Sequence, residues 1–317
     1  MRAIYWIMTD KLPQLPQAHG ILVLDKPKGP SSARCLTVLK RMGQKKIGHA
    51  GTLDPMAGGV LLVLLGQATK ISNYLMEGGE KRYSGCLRLG RVTDTWDAEG
   101  RILEEKSWEH LSARDVLAGI HAWRGRLAQP VPPFSAAKHQ GRPLYKLARA
   151  GNIVPLKVKE IEISHAELLE MQLPYVRFLV VCSSGTYIRS LAHSLGMRLG
   201  CGAVLTELTR EYSHPFGLDA ACSLDALRAE PERLFEWVLP VMRALPHWPL
   251  IELSTEEAAR TRNGAPLLHD TQRMAAVPFQ PGTHALLQDP DNNPLALAEA
   301  RFADGVPVWS VLRGLWH

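Results

Sequence analysis

The segment from Gly48 to Leu65 constrains the fold most strongly, because it joins a loop rich in glycine and proline to the longest apolar run of the chain. That run, Val60–Leu65, is far shorter than the ~20 apolar residues that a transmembrane helix needs, and it therefore predicts a buried strand. In the preceding loop two glycines free the backbone, while Pro55 restricts Asp54 to an extended conformation. The sequence thus predicts a carboxylate at a fixed position on the rim of a sheet.

The length of 317 residues exceeds that of one ordinary domain and suits two. Three prolines between Pro240 and Pro249 mark the predicted boundary, and the short apolar pieces beyond them favour a small β-domain. We predict an N-terminal extension over residues 1–19, a first domain over 20–243 and a C-terminal domain over 244–317. The extension lacks a small-residue cleavage pattern, so no secretory signal is expected. Five widely spaced cysteines without a Cys-x-x-Cys motif argue against a disulfide framework and favour the cytoplasm.

Basic residues are concentrated in two stretches of a chain whose net charge is +6. Eight lie between Val116 and Lys159 and seven between Lys26 and Lys46, and neither stretch contains an acidic residue. Aromatic residues interrupt the first stretch, and cations interleaved with aromatics can hold phosphates while the rings stack on unpaired bases. From Ala244 onward the net charge is −3, with five Arg and eight acidic residues. The pattern indicates an RNA-binding first domain, with a solvated charged face as the alternative.

Local patterns place further elements along the first domain. Ser31 or Ser32 is suited to cap a helix that runs to Arg41, and Ser112 to cap a helix that ends near Trp123. The remaining predictions are strands over Gly20–Leu24, Tyr83–Leu89 and Val176–Cys182, a loop over Gly48–Gly59, a short helix over Leu144–Ala150, and a turn at Ser183–Thr186 that leads into a helix to about Leu199.

Several motifs, in one order, resemble the TruB family of tRNA pseudouridine synthases over most of Gly20–Asp225. They are Gly20–Gly29 (GILVLDKPKG), Gly48–Pro55 (GHAGTLDP), Gly66–Lys70 (GQATK), Lys81–Tyr83 (KRY), Pro132–Lys138 (PPFSAAK) and Cys182–Ser190 (CSSGTYIRS). Two departures stand out. The family usually has Thr where Ala50 stands, and acidic residues are common at the positions of His193 and Ser194.

The resemblance implies an α+β fold, with a mixed, largely antiparallel sheet flanked by helices and a small β-rich, PUA-like C-terminal domain. It implies isomerisation of the uridine at position 55 of the tRNA T-loop to pseudouridine. That reaction needs no cofactor, and no spacing typical of metal ligands contradicts this. The expected partner is the T-stem–loop of tRNA, without a membrane or an obligate protein partner, and the expected state is a cytoplasmic monomer.

By resemblance, Asp54 is the catalytic carboxylate, which either attacks the ribose or removes a ribose proton. A site closed from water disfavours an ionised carboxylate, so a cation must oppose it. Arg189 matches the family position for that cation, and its guanidinium stays charged when buried. Tyr83 matches the family's active-site tyrosine, on which the flipped uracil would stack.

Four more residues match positions close to the substrate in the family. Tyr187 and Leu208 are expected to line the uracil pocket, His49 to occupy the stack that the flipped base vacates, and Asp25 to contact the extruded nucleotides. Two of them have a plainer interpretation: Leu208 as an ordinary core residue, and Asp25 as a turn residue that precedes a helix.

The basic insertion from about Gln129 to Lys159 corresponds to the family's thumb, which clamps the T-stem–loop. Its RNA-backbone contacts are expected from Lys138, Arg142, Lys146 and Arg149.

Two other functions are compatible with parts of the sequence. One is an RNA-folding module without essential catalysis, because reaching a base inside the T-loop already requires remodelling of the RNA. The other is a metal-dependent phosphoryl-transfer enzyme that uses Asp25, Asp94 and Asp97 as ligands.

Overall fold

The computed structural model describes residues 12–150 and 157–316. Its strands are β1 (Gly20–Lys26), β2 (Ile47–Ala50), β3 (Ala57–Leu65), β4 (Lys81–Leu89), β5 (Arg91–Thr93), β6 (Ile102–Glu105), β7 (Gly125–Pro130), β8 (Lys138–His139), β9 (Arg142–Pro143), β10 (Val158–Gln172), β11 (Tyr175–Cys182), β12 (Ala203–Ser213), β13 (Phe216–Gly217), β14 (Cys222–Ser223), β15 (Val238–Leu239), β16 (Leu250–Glu252), β17 (Leu267–Leu268), β18 (His284–Gln288), β19 (Pro294–Ala303) and β20 (Val306–Gly314).

The α-helices are α1 (Ser32–Arg41), α2 (Ser72–Glu77), α3 (Ala113–His121), α4 (Leu144–Arg149), α5 (Ile188–Arg198), α6 (Leu224–Ala229), α7 (Leu234–Trp237) and α8 (Thr255–Arg262). Short 3-10 helices cover Gly66–Ile71, Leu218–Ala220, Pro231–Arg233 and Val241–Ala244. In the described part of the chain, no helix has both the length and the apolar character needed to cross a membrane.

A sheet of eleven strands forms the centre of the fold, in the order β14–β1–β3–β12–β4–β11–β10–β7, with β2, β13 and β15 pairing to the side. β3 runs parallel to β12, and β1 to β14, whereas the other pairs in this sheet are antiparallel. The sheet is therefore mixed and largely antiparallel, and the predicted α+β fold class is confirmed.

Strand β3 is buried on both faces, which explains why its sequence is an uninterrupted apolar run. Leu61 and Val63 face a core cluster that includes side chains of α1, α3 and α5. Leu62 and Leu64 face a second cluster on the other side of the sheet. The alternation between the two clusters follows the period of two residues along a strand.

The C-terminal part forms a separate sheet of five strands, in the order β16–β18–β19–β20–β17. Leu286 and Leu297 from this sheet, together with Leu315, pack in the same core cluster as Ile21 and Leu62 of the central sheet. Because side chains from both sides of residue 244 share this cluster, the division of the chain into two domains at that residue stays a prediction.

Most of the local predictions agree with the observed elements. Ser31 is the N-cap of α1 and accepts a hydrogen bond from the Arg34 backbone N–H at 3.2 Å. The predicted loop over Gly48–Gly59 is too long, because its first residues belong to β2 and its last to β3. Glycine has a low strand propensity, and here the pairing with β3 overrides it.

The thumb begins and ends at neighbouring points of the sheet. Gln129 of β7 lies opposite Lys159 of β10 in the antiparallel register. Between them lie β8, β9 and α4, and residues 151–156 of the thumb fall outside the described residues. The same holds for residues 1–11 of the predicted N-terminal extension.

Candidate active site

The turn that carries Asp54 connects β2 to β3, and two side chains form hydrogen bonds with its backbone. The Ser32 hydroxyl donates to the Leu53 carbonyl and accepts from the Leu53 N–H, both at 2.9 Å. Lys26, fully buried, donates from Nζ to the carbonyl of Ala57 at 2.6 Å and to that of Pro55 at 3.4 Å. These bonds fix the backbone on both sides of Asp54, so its carboxylate is presented from a rigid turn.

Asp54, on this turn, is in direct contact with Arg189, in the first turn of α5. Nε of Arg189 lies 2.9 Å from Oδ2 of Asp54, and Nη2 donates to Oδ1 at 3.1 Å. The Arg189 side chain is only 5% exposed, whereas that of Asp54 is 35% exposed. The guanidinium is therefore built into the protein, while the carboxylate remains open to a ligand.

Arg189 also bridges to two other loops. Its Nη1 donates to the Thr95 carbonyl and its Nη2 to the Phe134 carbonyl, both at 2.9 Å. Oδ2 of Asp97 lies 3.5 Å from Nη1. Burial raises the pKa of Asp97, although the hydrogen bond from Thr95 and the charge of Arg189 oppose this effect. The buried guanidinium of Arg189 thus lies between the carboxylates of Asp54 and Asp97. Its five N–H donors, in a rigid planar arrangement, suit it to that position.

Tyr83 lies on β4 of the central sheet, and its side chain is close enough to the turn that carries Asp54 to be affected by its charge. It is 6% exposed and stands opposite Val180 of β11 and Arg210 of β12. Burial raises the pKa of the hydroxyls of Tyr83 and Tyr187, and the negative charge of Asp54 adds to the effect in both. The two phenols are therefore neutral at physiological pH, and each lies within electrostatic range of Asp54.

Arg210 connects Tyr83 to the turn that carries Asp54, and sequence reasoning missed it. It is 1% exposed. Its Nε donates to the Val60 carbonyl at 2.7 Å, its Nη2 to the Gly51 carbonyl at 2.9 Å, and its Nη1 reaches the Tyr83 hydroxyl at 3.5 Å. Gly51 has φ +82°, a conformation that glycine adopts without strain.

Leu208 lies two residues before Arg210 on β12, opposite Ala57 of β3 and Gly85 of β4. It is 5% exposed and belongs to the core cluster that also contains Tyr83. Its position fits both the predicted role beside the uracil and the plainer interpretation as a core residue.

Tyr187 is the N-cap residue of α5, and its backbone is held by a side chain from the base of the thumb. The Gln129 side chain donates to the Tyr187 carbonyl at 3.0 Å and accepts from the Tyr187 N–H at 2.7 Å. Ser190 donates from its hydroxyl to the Pro130 carbonyl at 2.7 Å. The turn that presents Arg189 is therefore hydrogen-bonded directly to the strand from which the thumb begins.

His49 and Asp25 differ in burial and in their relation to the Asp54–Arg189 pair. His49 is half-buried on β2, and burial lowers its pKa, with the charge of Arg210 as a second cause. Its Nδ1 is buried and has no hydrogen-bond partner in the described part of the chain. Asp25 has an exposed side chain on β1, and no described hydrogen bond or ion pair joins it to Asp54 or Arg189. It is Lys26, the next residue, that supports the turn.

The thumb cations are described in part. The side chains of Arg142 and Lys146 are exposed, whereas those of Lys138 and Arg149 lie outside the described side chains.

The residues that sequence reasoning missed are Lys26, Asp97 as a neighbour of Arg189, Gln129 and Arg210. From the sequence alone, Lys26 and Arg210 could only be interpreted as exposed charges, because no local pattern shows that a basic side chain will be buried. A weak signal was available for Asp97, because it lies in a short polar segment that also contains Thr93, Asp94 and Thr95.

The described side chains form no cluster suited to a metal ion. Among residues 12–150 and 157–316, no three His, Cys, Asp or Glu side chains converge on a point where they could hold a metal ion. The alternative that uses Asp25, Asp94 and Asp97 as ligands therefore lacks its ligand cluster. Asp97 instead accepts from the Thr95 hydroxyl at 2.6 Å.

Comparison with known proteins gives a consistent result. The family model for the N-terminal domain of TruB family pseudouridylate synthases matches residues 40–188. A protein of Oleidesulfovibrio alaskensis named tRNA pseudouridine synthase B is 62% identical over 304 residues, which cover 96% of this chain and 98% of that protein. A protein of Geobacter sulfurreducens with the same name is 42% identical over 275 residues, covering 85% and 90%.

One solved structure, of an H/ACA ribonucleoprotein bound to a substrate RNA containing 2′-deoxyuridine, shares the fold. It aligns with a TM-score of 0.69 at 23% identity, over 94% of this chain and 85% of that chain. Given relatives of such identity along nearly the whole sequence, the predicted family is confirmed: the chain belongs to the TruB family of pseudouridylate synthases, enzymes that isomerise uridine to pseudouridine.

Proposed function

We propose that this enzyme converts the uridine at position 55 in the T-loop of tRNA to pseudouridine, with Asp54 as the catalytic carboxylate. Its curated relatives are named for tRNA as substrate. The observation that carries the proposal is the pairing of a partly open Asp54 with a buried Arg189 at 2.9 Å. A carboxylate that is ionised, oriented and accessible is the group that this reaction requires next to the ribose.

The reaction rearranges bonds without a net gain or loss of atoms. The bond between N1 of uracil and C1′ of ribose breaks, the base turns, and C5 becomes bonded to C1′. The proton on C5 leaves and N1 gains one, so that neither a redox partner nor a group donor is needed.

Asp54 acts at the first step by one of two routes. It attacks C1′ as the uracil leaves, or it removes the proton from C2′ to give a glycal-like intermediate. Both routes need the ionised carboxylate, which Arg189 stabilises when RNA covers the site and excludes water. Because Arg189 is itself held by the Thr95 and Phe134 carbonyls, it does not have to reorganise during the reaction.

The detached uracil must stay in the site while it turns. Tyr83 offers a ring on which it stacks, Leu208 packs against it, and Tyr187 contacts it from the start of α5. Base–aromatic stacking contributes about 1–3 kcal/mol, sufficient to retain a base that is no longer bonded. His49, neutral because burial lowers its pKa, fills the stack from which the nucleotide was extracted.

The other proposed contacts with RNA lie away from the Asp54–Arg189 pair. The exposed Arg142 and Lys146 hold the RNA backbone together with Lys138 and Arg149, and Asp25 contacts the nucleotides next to the target. The C-terminal part, with its charge of −3, contributes through shape rather than through phosphate binding. We propose a monomer in the cytoplasm that needs tRNA alone as partner.

The test is incubation of the purified protein with an unmodified tRNA transcript, followed by mapping of pseudouridine at single-nucleotide resolution. The proposal predicts one pseudouridine, at position 55, in the whole tRNA and in an isolated T-arm hairpin, and unchanged turnover in EDTA. A transcript with cytidine at that position serves as the control. Product at another position, or turnover that EDTA abolishes, would contradict the proposal.

A further inference from the structure

Lys81 is the first residue of β4, and its environment is unusual for a lysine. It lies two residues before Tyr83 on the same face of the strand, and it is only 7% exposed. In the described part of the chain its Nζ forms no hydrogen bond and no ion pair. The Nζ atom itself is not fully buried, so water still reaches it in the free protein. Lysines buried to this extent nevertheless normally have protein partners as well, because a buried charge without one is destabilising.

The groups around Lys81 provide no negative charge in contact with it. On β12 the residue opposite Lys81 is Ser213, whereas Arg210 lies opposite Tyr83 and acts on Lys81 through its positive charge. On β11 the opposite residue is Cys182, whose pKa burial raises to about 11, so that its thiol is neutral. From β10 comes a further cation, Lys159, which donates to the Ser184 carbonyl at 3.3 Å. Glu80, the preceding residue, accepts from the Ser164 hydroxyl at 2.7 Å. Lys81 is therefore surrounded by cations and neutral groups.

Lys81 and Arg210 converge on the turn that carries Asp54. A Cβ atom placed on Gly51 would lie 3.4 Å from Nη1 of Arg210 and 3.5 Å from Nζ of Lys81. Gly51 is three residues before Asp54. Both cations therefore lie beside Gly51, within ordinary contact distance of where a side chain would begin.

The two cations differ in what they have left to donate. Each nitrogen of the Arg210 guanidinium is already directed at an oxygen, of Val60, Gly51 or Tyr83. The Lys81 ammonium has three donors that no described group accepts. Arg210 therefore contributes a positive field, whereas Lys81 is able to contact an anion directly.

We propose that Nζ of Lys81 binds a backbone phosphate of the nucleotide that the enzyme extracts from the RNA and brings to Asp54, or of its immediate neighbour. The proposal rests on the proposed function, because it requires an extruded uridine between Asp54 and Tyr83. The phosphate completes the arrangement, since it supplies the acceptor that Lys81 lacks and offsets the charge of Arg210. Lys81 then fixes the ribose in position for Asp54.

The protonation state of Lys81 supplies a distinctive test. Burial, followed by the charge of Arg210, lowers its pKa to about 8 in the free protein. Phosphate binding needs the protonated amine, so affinity for RNA should fall as the pH rises from 7 to 9. A lysine that served as the base for the C5 proton would show the opposite sign, because the rate would rise over the same range.

The experiment combines protein variants with site-specific changes in the RNA. Wild-type protein, Lys81→Met and Lys81→Arg bind T-arm hairpins in which one phosphate at a time, on either side of the target uridine, is replaced by an uncharged methylphosphonate. We expect Lys81→Met to weaken binding of the unmodified hairpin by about tenfold, and Lys81→Arg to retain most of the affinity. Lys106→Met, at an exposed lysine that pairs with Glu104, is the matched control.

We expect one phosphate to be the partner of Lys81. Replacing that phosphate should weaken binding by the wild-type protein about as much as the Lys81→Met substitution does, and should not weaken binding by Lys81→Met any further. Replacing any other phosphate should weaken binding by both proteins to the same extent. Binding by Lys81→Met and Lys81→Arg should be insensitive to pH between 7 and 9.

Three outcomes would overturn the proposal: equal effects of every linkage in both proteins, loss of affinity in Lys81→Arg as large as in Lys81→Met, or normal binding by Lys81→Met with a lower rate. A wild-type protein that binds the hairpins but forms no pseudouridine would instead contradict the proposed function.

Discussion

Arg189 contacts Asp54 through two of its nitrogens, at 2.9 and 3.1 Å, although 135 residues separate them in the sequence. The pair joins the turn before β3 to the first turn of α5. The guanidinium of Arg189 is buried, whereas the carboxylate of Asp54 is partly exposed, so the protein holds the carboxylate in place and leaves it accessible.

Replacement of Arg189 by lysine should affect turnover more than RNA affinity. A lysine supplies one point charge and cannot contact Asp54 while it also donates to the Thr95 and Phe134 carbonyls. We expect kcat to fall by about 10- to 100-fold and the Kd for RNA to change by less than about threefold. Single-turnover kinetics and equilibrium binding separate the two effects. A wild-type kcat in Arg189→Lys would show that the reaction does not need the several hydrogen bonds of the guanidinium.

The stability of the protein should fall as the pH is lowered from 7 to 5. Burial lowers the pKa of His193, His49 and His214, so between their folded-state values and 6.5 the unfolded chain binds more protons than the folded one. This contribution to stability is present above pH 6.5 and is lost as the pH falls, at no more than about 1.4 kcal/mol per pH unit for each histidine.

His193 offers a clean substitution for this test. Its ring stacks on Trp96 at a centroid distance of 4.3 Å, and phenylalanine keeps the stacking while it removes the titrating group. We expect a shallower dependence of the free energy of unfolding on pH in His193→Phe, measured by denaturant titration at several pH values. Identical slopes for the two proteins would show that His193 titrates alike in the folded and unfolded chains.

The thumb should contribute to the salt dependence of RNA binding. Arg142 and Lys146 are exposed, and each phosphate contact adds roughly 0.7–0.9 to the slope of log affinity against log salt concentration. The double variant Arg142→Gln/Lys146→Gln should therefore show a slope about 1.5 less steep and weaker binding at low salt. An unchanged slope would remove these two residues from the RNA path.

The sequence predicted those parts of the fold that depend on short-range patterns. The cap at Ser31, the capping box of Ser112 and Asp115, and the buried run of β3 are all local, and each was found. The loop before β3 was predicted too long because its pairing with β3 outweighs the low strand propensity of glycine. The resemblance placed Asp54 and Arg189 in one site, and the structure brings them into contact.

The rest of the site depends on long-range contacts that no local pattern reveals. Lys26, Gln129 and Arg210 are polar residues whose burial follows from the backbone oxygens that the fold brings around them. Asp25 was expected near the nucleotides, yet its side chain is exposed on β1, and its predicted contact with RNA stays a prediction. A sequence shows which residues are charged, whereas the packing decides which charges are buried and facing one another.

The most direct test of the account is the activity of Asp54→Asn on a T-arm hairpin, measured together with its affinity for the same RNA. Asparagine keeps the shape of the side chain and removes the charge that faces Arg189. Asp225→Asn, at an exposed aspartate of α6, is the matched control. We predict that Asp54→Asn binds the hairpin and forms pseudouridine at least about 100-fold more slowly, whereas product formation at the wild-type rate would contradict the assignment of Asp54 as the catalytic carboxylate.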